Sequence, residues 1–223
     1  MRKMLWLGAL AAGSYAAATH LGATWGSTRE ERARVLPTDD MVPDPTVVTN
    51  HAITIRGRAE DVWPWLVQMG WHRAGWYTYR WVDRLLFPEN RPSADEILPE
   101  LQGLSVGDQI PDGAPDRECY FVVERMDRPS LLLLHSRSHL PPWPQDAWLD
   151  WIWTYVLEDR DDEVWVLLRT RASLGPAWLA AVYRASLWTD FVMARSHLQG
   201  IKSRVESHAG VQRIAADGRY SEA

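Results

Sequence analysis

The chain of 223 residues carries a single cysteine, Cys119. That excludes an intramolecular disulfide and any zinc site built from several thiolates. Cys119 opens the strand-like run Cys119-Tyr120-Phe121-Val122-Val123, where a buried, inert thiol is expected rather than a reactive nucleophile. Clustered positive charge is missing as well. The net charge is −5, and the basic residues are scattered among acidic ones, which excludes a nucleic-acid partner because phosphate binding needs a basic face. There is no Gly-x-Ser-x-Gly elbow, no Walker loop, no dinucleotide fingerprint and no His-Glu-x-x-His helix. No cofactor is implied. Internal repeats and low-complexity tracts are also lacking.

What the chain does have is a dense aromatic passage. Val62-Trp63-Pro64-Trp65-Leu66-Val67-Gln68-Met69-Gly70 is followed at once by Arg73-Ala74-Gly75-Trp76-Tyr77-Thr78-Tyr79. Rings of this size, with polar handles on Trp and Tyr, suit the lining of a pocket for a flat or apolar ligand.

The N-terminus is a second feature. Met1-Arg2-Lys3 is basic, and positions 4–25 hold no charged side chain. A membrane anchor over 1–26 is the expectation, with Arg2 and Lys3 favouring a cytoplasmic N-terminus and the main domain outside. A cleavable signal peptide, with Ala16-Ala17-Ala18 as its small-residue site, would instead give a secreted protein. A soluble N-terminal helix in a cytoplasmic protein is the third possibility.

Positions 27–45 read as a short helix, Thr28 to Val35, and a proline-punctuated linker. The alternation over 47–56 predicts a strand, and Val62, Trp63, Leu66 and Met69 predict a helix over 59–69 stopped by Gly70. A short helix is expected over 79–87. Ser93-Ala94-Asp95-Glu96 has the form of a capping box, so a further helical turn is expected to start there. Strands follow over 106–111, 118–126, 131–136, 151–158 and 163–172, with Asp159 to Asp162 as a hairpin connection. In 189–208, Phe191, Ala194, Leu198, Ile201 and Val205 form one apolar stripe, which predicts a long helix lying across the sheet. Positions 209–223 read as a flexible tail.

This order, together with Ala52-Ile53-Thr54-Ile55, Glu60 to Gly70, Arg73 to Tyr79, Ser93-Ala94-Asp95, Val106-Gly107-Asp108, Trp153 to Glu158 and the ending Phe191-Val192-Met193 … Leu198-Gln199-Gly200-Ile201-Lys202, resembles bacterial SRPBCC proteins. That superfamily joins START-type lipid-transfer domains, Bet v 1-like proteins and polyketide cyclase/dehydrases. The resemblance runs from about Thr46 to Glu206. It implies an α+β helix-grip fold over 46–208, a curved antiparallel sheet wrapped around a long C-terminal helix, with an apolar cavity between them. It implies no particular reaction, because the fold hosts carriers and enzymes alike.

Candidate site residues follow from position. Trp151, Trp153 and Tyr155 share one strand face, and Trp76, Tyr77 and Tyr79 stand at a glycine turn; all six are candidate ligand contacts. Arg73, Asp95 and Arg137 are the polar candidates. Arg169 and Arg171 share a face with Trp165, read as solvated convex surface with a ligand-carboxylate role as the alternative. His135 and His139 stand four apart, but in an extended segment that is on the order of 13 Å, too far for one metal. No catalytic residue and no metal site is assigned. Three functions stay open. The first is carriage of a small hydrophobic molecule such as a lipid, isoprenoid or polyketide-like aromatic. The second is a cyclase or dehydratase in the same cavity, which an unpaired, desolvated Asp or Tyr beside the ligand space would favour. The third is a membrane-tethered interaction module whose cavity is filled by its own tryptophans.

Overall fold

The β-branched alternation of 47–56 forms strand β1 (Val47–Arg56), and the helical spacing after it forms α3 (Ala59–Gln68), within the expected limits. The computed structural model describes residues 2–86, 89, 91–113, 118–140 and 144–220, with side chains at these positions except 2–5, 7–12, 86 and 209–220. Ahead of β1 lie α1 (Arg2–Ala23) and α2 (Arg29–Ala33). The Thr28 hydroxyl caps α2 while Glu31 reaches back to the Thr28 N–H. After α3 come α4 (Arg80–Leu86), β2 (Gln109–Pro111), β3 (Tyr120–Asp127), β4 (Leu131–Ser136), β5 (Trp148–Arg160), β6 (Glu163–Gly175), α5 (Ala177–Ala185) and α6 (Leu187–Tyr220).

The six strands form one antiparallel sheet in the order β1-β6-β5-β4-β3-β2. Ala194, Leu198, Ile201 and Val205 of α6 pack with Trp151, Trp153, Tyr155 and Leu157 of β5 in one core cluster. This is the helix-grip layout that the resemblance implies. Cross-strand register sets a row of Thr49, Thr170, Trp153, Leu134 and Val123 on the inner face, and a parallel row through His51, Leu168, Tyr155 and Leu132.

The outer face is covered too. Residues 27–46, expected to be a linker, lie across it, with Leu36 packed against Val156, Trp165 and Leu167, and Val42 against Leu131, Leu133 and Ile152. Arg169 and Arg171 therefore differ from both expectations. Arg169 is 2% exposed and donates to Arg34 O (2.7 Å), Asn50 Oδ1 (2.7 Å) and Asp39 Oδ2 (2.9 Å). Arg171 donates to Val42 O. Their guanidinium groups satisfy the carbonyls of the overlying segment, on the side of the sheet away from α6.

The free edge of β1 is occupied as well. Ala52 N–H donates to Trp25 O (3.0 Å), Ser27 Oγ to Asn50 O (3.0 Å), Lys202 Nζ to Thr54 O (2.7 Å), and Arg56 N–H to Glu206 Oε1 (3.1 Å).

Two further expectations differ. Ser93 starts no helix; its hydroxyl accepts from Tyr77 N–H (3.0 Å) and sits against Gly75, whose φ of +79° places it in a turn with no room for a Cβ. A 3₁₀ turn forms later, at Pro99–Leu101, held to α3 by Gln68, whose Oε1 accepts from Leu98 N–H (2.9 Å). The backbone of α6 continues helical to Tyr220, past the point where a flexible tail was expected.

At the N-terminus, α1 is helical over 22 residues and its end is docked. Gly22 O accepts from His51 Nε2 (2.9 Å), Ala185 O accepts from the Tyr15 hydroxyl, and Trp25 meets the Phe191 ring edge-on. Among the described residues no helix is long and apolar enough to cross a membrane. The abundant Ala and Gly of α1, with Ser14, Thr19 and His20, are the physical reason, so the spanning anchor has no support in the structure.

Candidate functional site

Between the inner face of the sheet and the start of α6 lies a cavity of about 360 Å³. Its apolar walls are Trp76, Trp151, Trp153, Leu168, Met193 and Ala194. That volume falls near the lower end for small-molecule sites. The rings meet edge to face, Trp76 with Trp153 at 5.8 Å and Trp151 with Trp153 at 5.4 Å between centroids, the geometry that aromatic quadrupoles favour. Three donors in this wall, the indole N–H groups of Trp76, Trp151 and Trp153, are buried with no hydrogen-bond acceptor in the protein. Each such group costs about 1–3 kcal/mol, so a core built for packing alone gains nothing by holding them.

Polar groups enter at two places. At one, His139 Nε2 meets Asp112 Oδ2 at 2.8 Å and His139 Nδ1 meets Ser136 Oγ at 2.5 Å, with both the imidazole and the carboxylate nearly sealed from solvent. Burial opposes charge on His139, but the Asp112 contact, and beyond it Cys119, outweighs burial and lifts the imidazole to about 9. Burial pushes the Asp112 carboxyl up, with His139 offsetting part of it. The protonated His139 donates to both partners. Asp, His and Ser are thus in line, but a His that donates to Ser136 is no base toward it, and Ser136 does not border the cavity.

At the other place stands Asp190, in the first turn of α6. Its Oδ2 is buried with no hydrogen-bond partner. Burial pushes this carboxyl up, and His51 and the Thr49 hydroxyl partly offset the effect. His51 donates from Nε2 to Gly22 O, while its Nδ1 has no partner. Burial lowers His51, against the pull of Asp190.

A second histidine borders the cavity but is fully engaged. His197 Nδ1 donates to Trp76 O (2.6 Å), and Nε2 accepts from the Tyr155 hydroxyl (3.0 Å). Burial drives it down to about 4, so it is neutral and joins β5, α6 and the Trp76 turn.

Of the residues read from sequence, Trp76, Trp151 and Trp153 line the cavity. Tyr77 and Tyr155 are buried outside its lining, Tyr77 donating to Trp65 O (3.0 Å) and Tyr155 bound to His197. The Tyr79 hydroxyl accepts from Arg195 at 3.5 Å, and Tyr79 is not in the cavity lining. Arg73 donates to Val67 O (2.7 Å) and Met69 O (2.9 Å), closing off the C-terminal end of α3. Asp95 is 90% exposed and pairs with Arg204, and Arg137 is 71% exposed and pairs with Asp150. His135 and His139 diverge: His135 meets Glu124 and Asp150 on the outer side, while His139 turns inward.

Asp112, His139 and Asp190 were not read as ligand-cavity groups. For Asp190 a signal existed. It precedes Ala194 by four residues and His197 by seven, so it shares their helix face. Asp112 lies in a loop after a three-residue strand, and nothing local announces its burial.

No protein-family model matches the chain, and no curated protein matches it. Among solved structures, it is similar to the di-domain aromatase/cyclase StfQ of the steffimycin biosynthetic pathway, at 14% identity, over 78% of this chain and 55% of that one, with a TM-score of 0.48. It is also similar to a norcoclaurine synthase point mutant from Thalictrum flavum in complex with a transition-state analogue (15%, 73% and 96%, 0.42). The protein MLL2253 from Mesorhizobium loti is a third (12%, 72% and 98%, 0.43). At these identities no residue role passes from those proteins to this chain. What its own fold and cavity define is a helix-grip domain with a tryptophan-walled interior.

Proposed function

We propose that the protein binds a small, largely apolar molecule in the cavity between the sheet and α6. The observation that carries this reading is the pair of tryptophans, Trp151 and Trp153, whose buried indole N–H groups have no protein acceptor while their rings form the cavity wall. Apolar ligand surface would be stabilised by about 25 cal/mol per Å² on burial, and the indole donors would fix orientation. The neutral fluorophore N-phenyl-1-naphthylamine tests the reading. It is expected to bind the full chain, with Ala194→Phe, which fills the space, weakening binding at least about tenfold while the near-ultraviolet circular dichroism stays native. Binding that Ala194→Phe leaves unchanged would sink the proposal.

A second reading has one observation in its favour. Asp190 lines the cavity and holds a desolvated carboxyl oxygen with no hydrogen-bond partner, the kind of group that acid–base chemistry of the cyclase or dehydratase kind uses. Native mass spectrometry of the purified chain, followed by extraction, separates the two readings. A co-purifying molecule returned unchanged after prolonged incubation with fresh protein supports carriage, and its conversion supports catalysis.

A further inference from the structure

The charges around the cavity are one-sided. Among the described residues, its charged or ionisable lining consists of Asp112, Asp190, His139, His197 and Tyr183, with no lysine or arginine. His139 is spent on Asp112 and Ser136. His197 has both ring nitrogens occupied within the protein. Asp190 alone among them has a buried carboxyl oxygen, Oδ2, with no hydrogen-bond partner. The protein groups that act on it are the Thr49 hydroxyl and His51, both from β1. The His51 ring donates its Nε2 proton to Gly22 O, and burial opposes a second proton on it.

We infer that the molecule this cavity takes is an apolar amine, whose protonated nitrogen lies against the Asp190 carboxylate and whose apolar body fills the space beneath Trp76 and Trp153. The inference rests on the ligand-binding reading above and adds the chemical class of the ligand. An ammonium group supplies a partner for Oδ2, and its charge offsets the burial that holds the carboxyl up. The aromatic walls suit a cation as well, because the faces of Trp and Tyr rings are electron-rich. A ligand carboxylate would face Asp190 with like charge. A ligand hydroxyl would meet the oxygen without supplying a positive charge.

Three probes with one tail and different heads test this: n-octylamine, 1-octanol and octanoate, each titrated into the full chain by isothermal calorimetry at pH 7. The amine is expected to bind at least about tenfold more tightly than the alcohol, with octanoate weakest. Asp190→Asn should cut the advantage of the amine over the alcohol to less than about twofold, and Asp190→Glu should retain it. Equal binding of the three heads, or an amine preference that survives Asp190→Asn, overturns the amine assignment while leaving the cavity reading intact. Absence of binding by all three overturns both. The wild-type series stands by itself should the Asn variant fail to fold.

Discussion

His139 and His197 border one cavity and hold opposite protonation states, for reasons visible at the level of single atoms. His139 has a carboxylate 2.8 Å from Nε2, whereas His197 has a carbonyl and a hydroxyl and no anion. The consequence for stability follows from linkage. His139, raised from 6.5 to about 9, contributes stability that is complete below pH 6.5 and lost as pH rises through 9. His197, lowered from 6.5 to about 4, contributes stability that is complete above pH 6.5 and lost as pH falls through 4. Each displacement corresponds to about 3 kcal/mol. Urea midpoints measured across pH 4 to 9.5 are therefore expected to fall away on both sides of pH 6.5. His139→Gln should flatten the alkaline side and spare the acid one. An alkaline side unchanged in that variant would refute the assignment.

At the level of elements, the close approach of α6 to the Trp76–Tyr77 turn depends on Gly200. A Cβ there would lie 1.8 Å from Tyr77 O, backbone against backbone, with no side chain able to yield. Helix propensity alone would make Gly200→Ala stabilising by about 0.8–1 kcal/mol. The collision reverses the sign, and a net loss of about 1–3 kcal/mol in chemical denaturation is expected, as for other overpacked contacts. A variant as stable as the parent would show that α6 does not lie this close.

The elements also mark how far the sequence could be read. The strands over 47–56 and 131–136 and the stripe from Ala194 to Val205 were legible, because burial on a face or on both faces leaves a plain hydrophobic pattern. The capping box at Ser93 was misleading, since the same hydroxyl serves a backbone N–H sixteen residues away. Part of the cavity wall was legible as well, through Trp76, Trp151 and Trp153. Its acids were not, because Asp112 and Asp190 are buried by tertiary packing that brings loop and helix start to one space. α5 escaped notice because nine residues of mixed exposure follow a strand directly, with only Ala180 buried among them.

At the level of the whole molecule, both faces of the sheet are covered, α6 on one side and residues 27–46 on the other, which explains why Leu131 to Leu134 are apolar without alternation. The segment from Trp25 to Ser27 has a further consequence, one of solubility. A ten-residue strand at the margin of a sheet is a template for another chain, and proteins suppress that hazard by hiding the margin. Here the backbone of Trp25, together with Ser27, takes up hydrogen-bonding groups of β1 that would otherwise be offered outward. Removing residues 1–27 is thus expected to do more than delete a helix. The shortened chain should self-associate with rising concentration in light scattering while the parent does not, and a shortened chain that stays monomeric would count against it. The N-terminal segment, on this view, acts as a guard that keeps the molecule from sticking to its own copies.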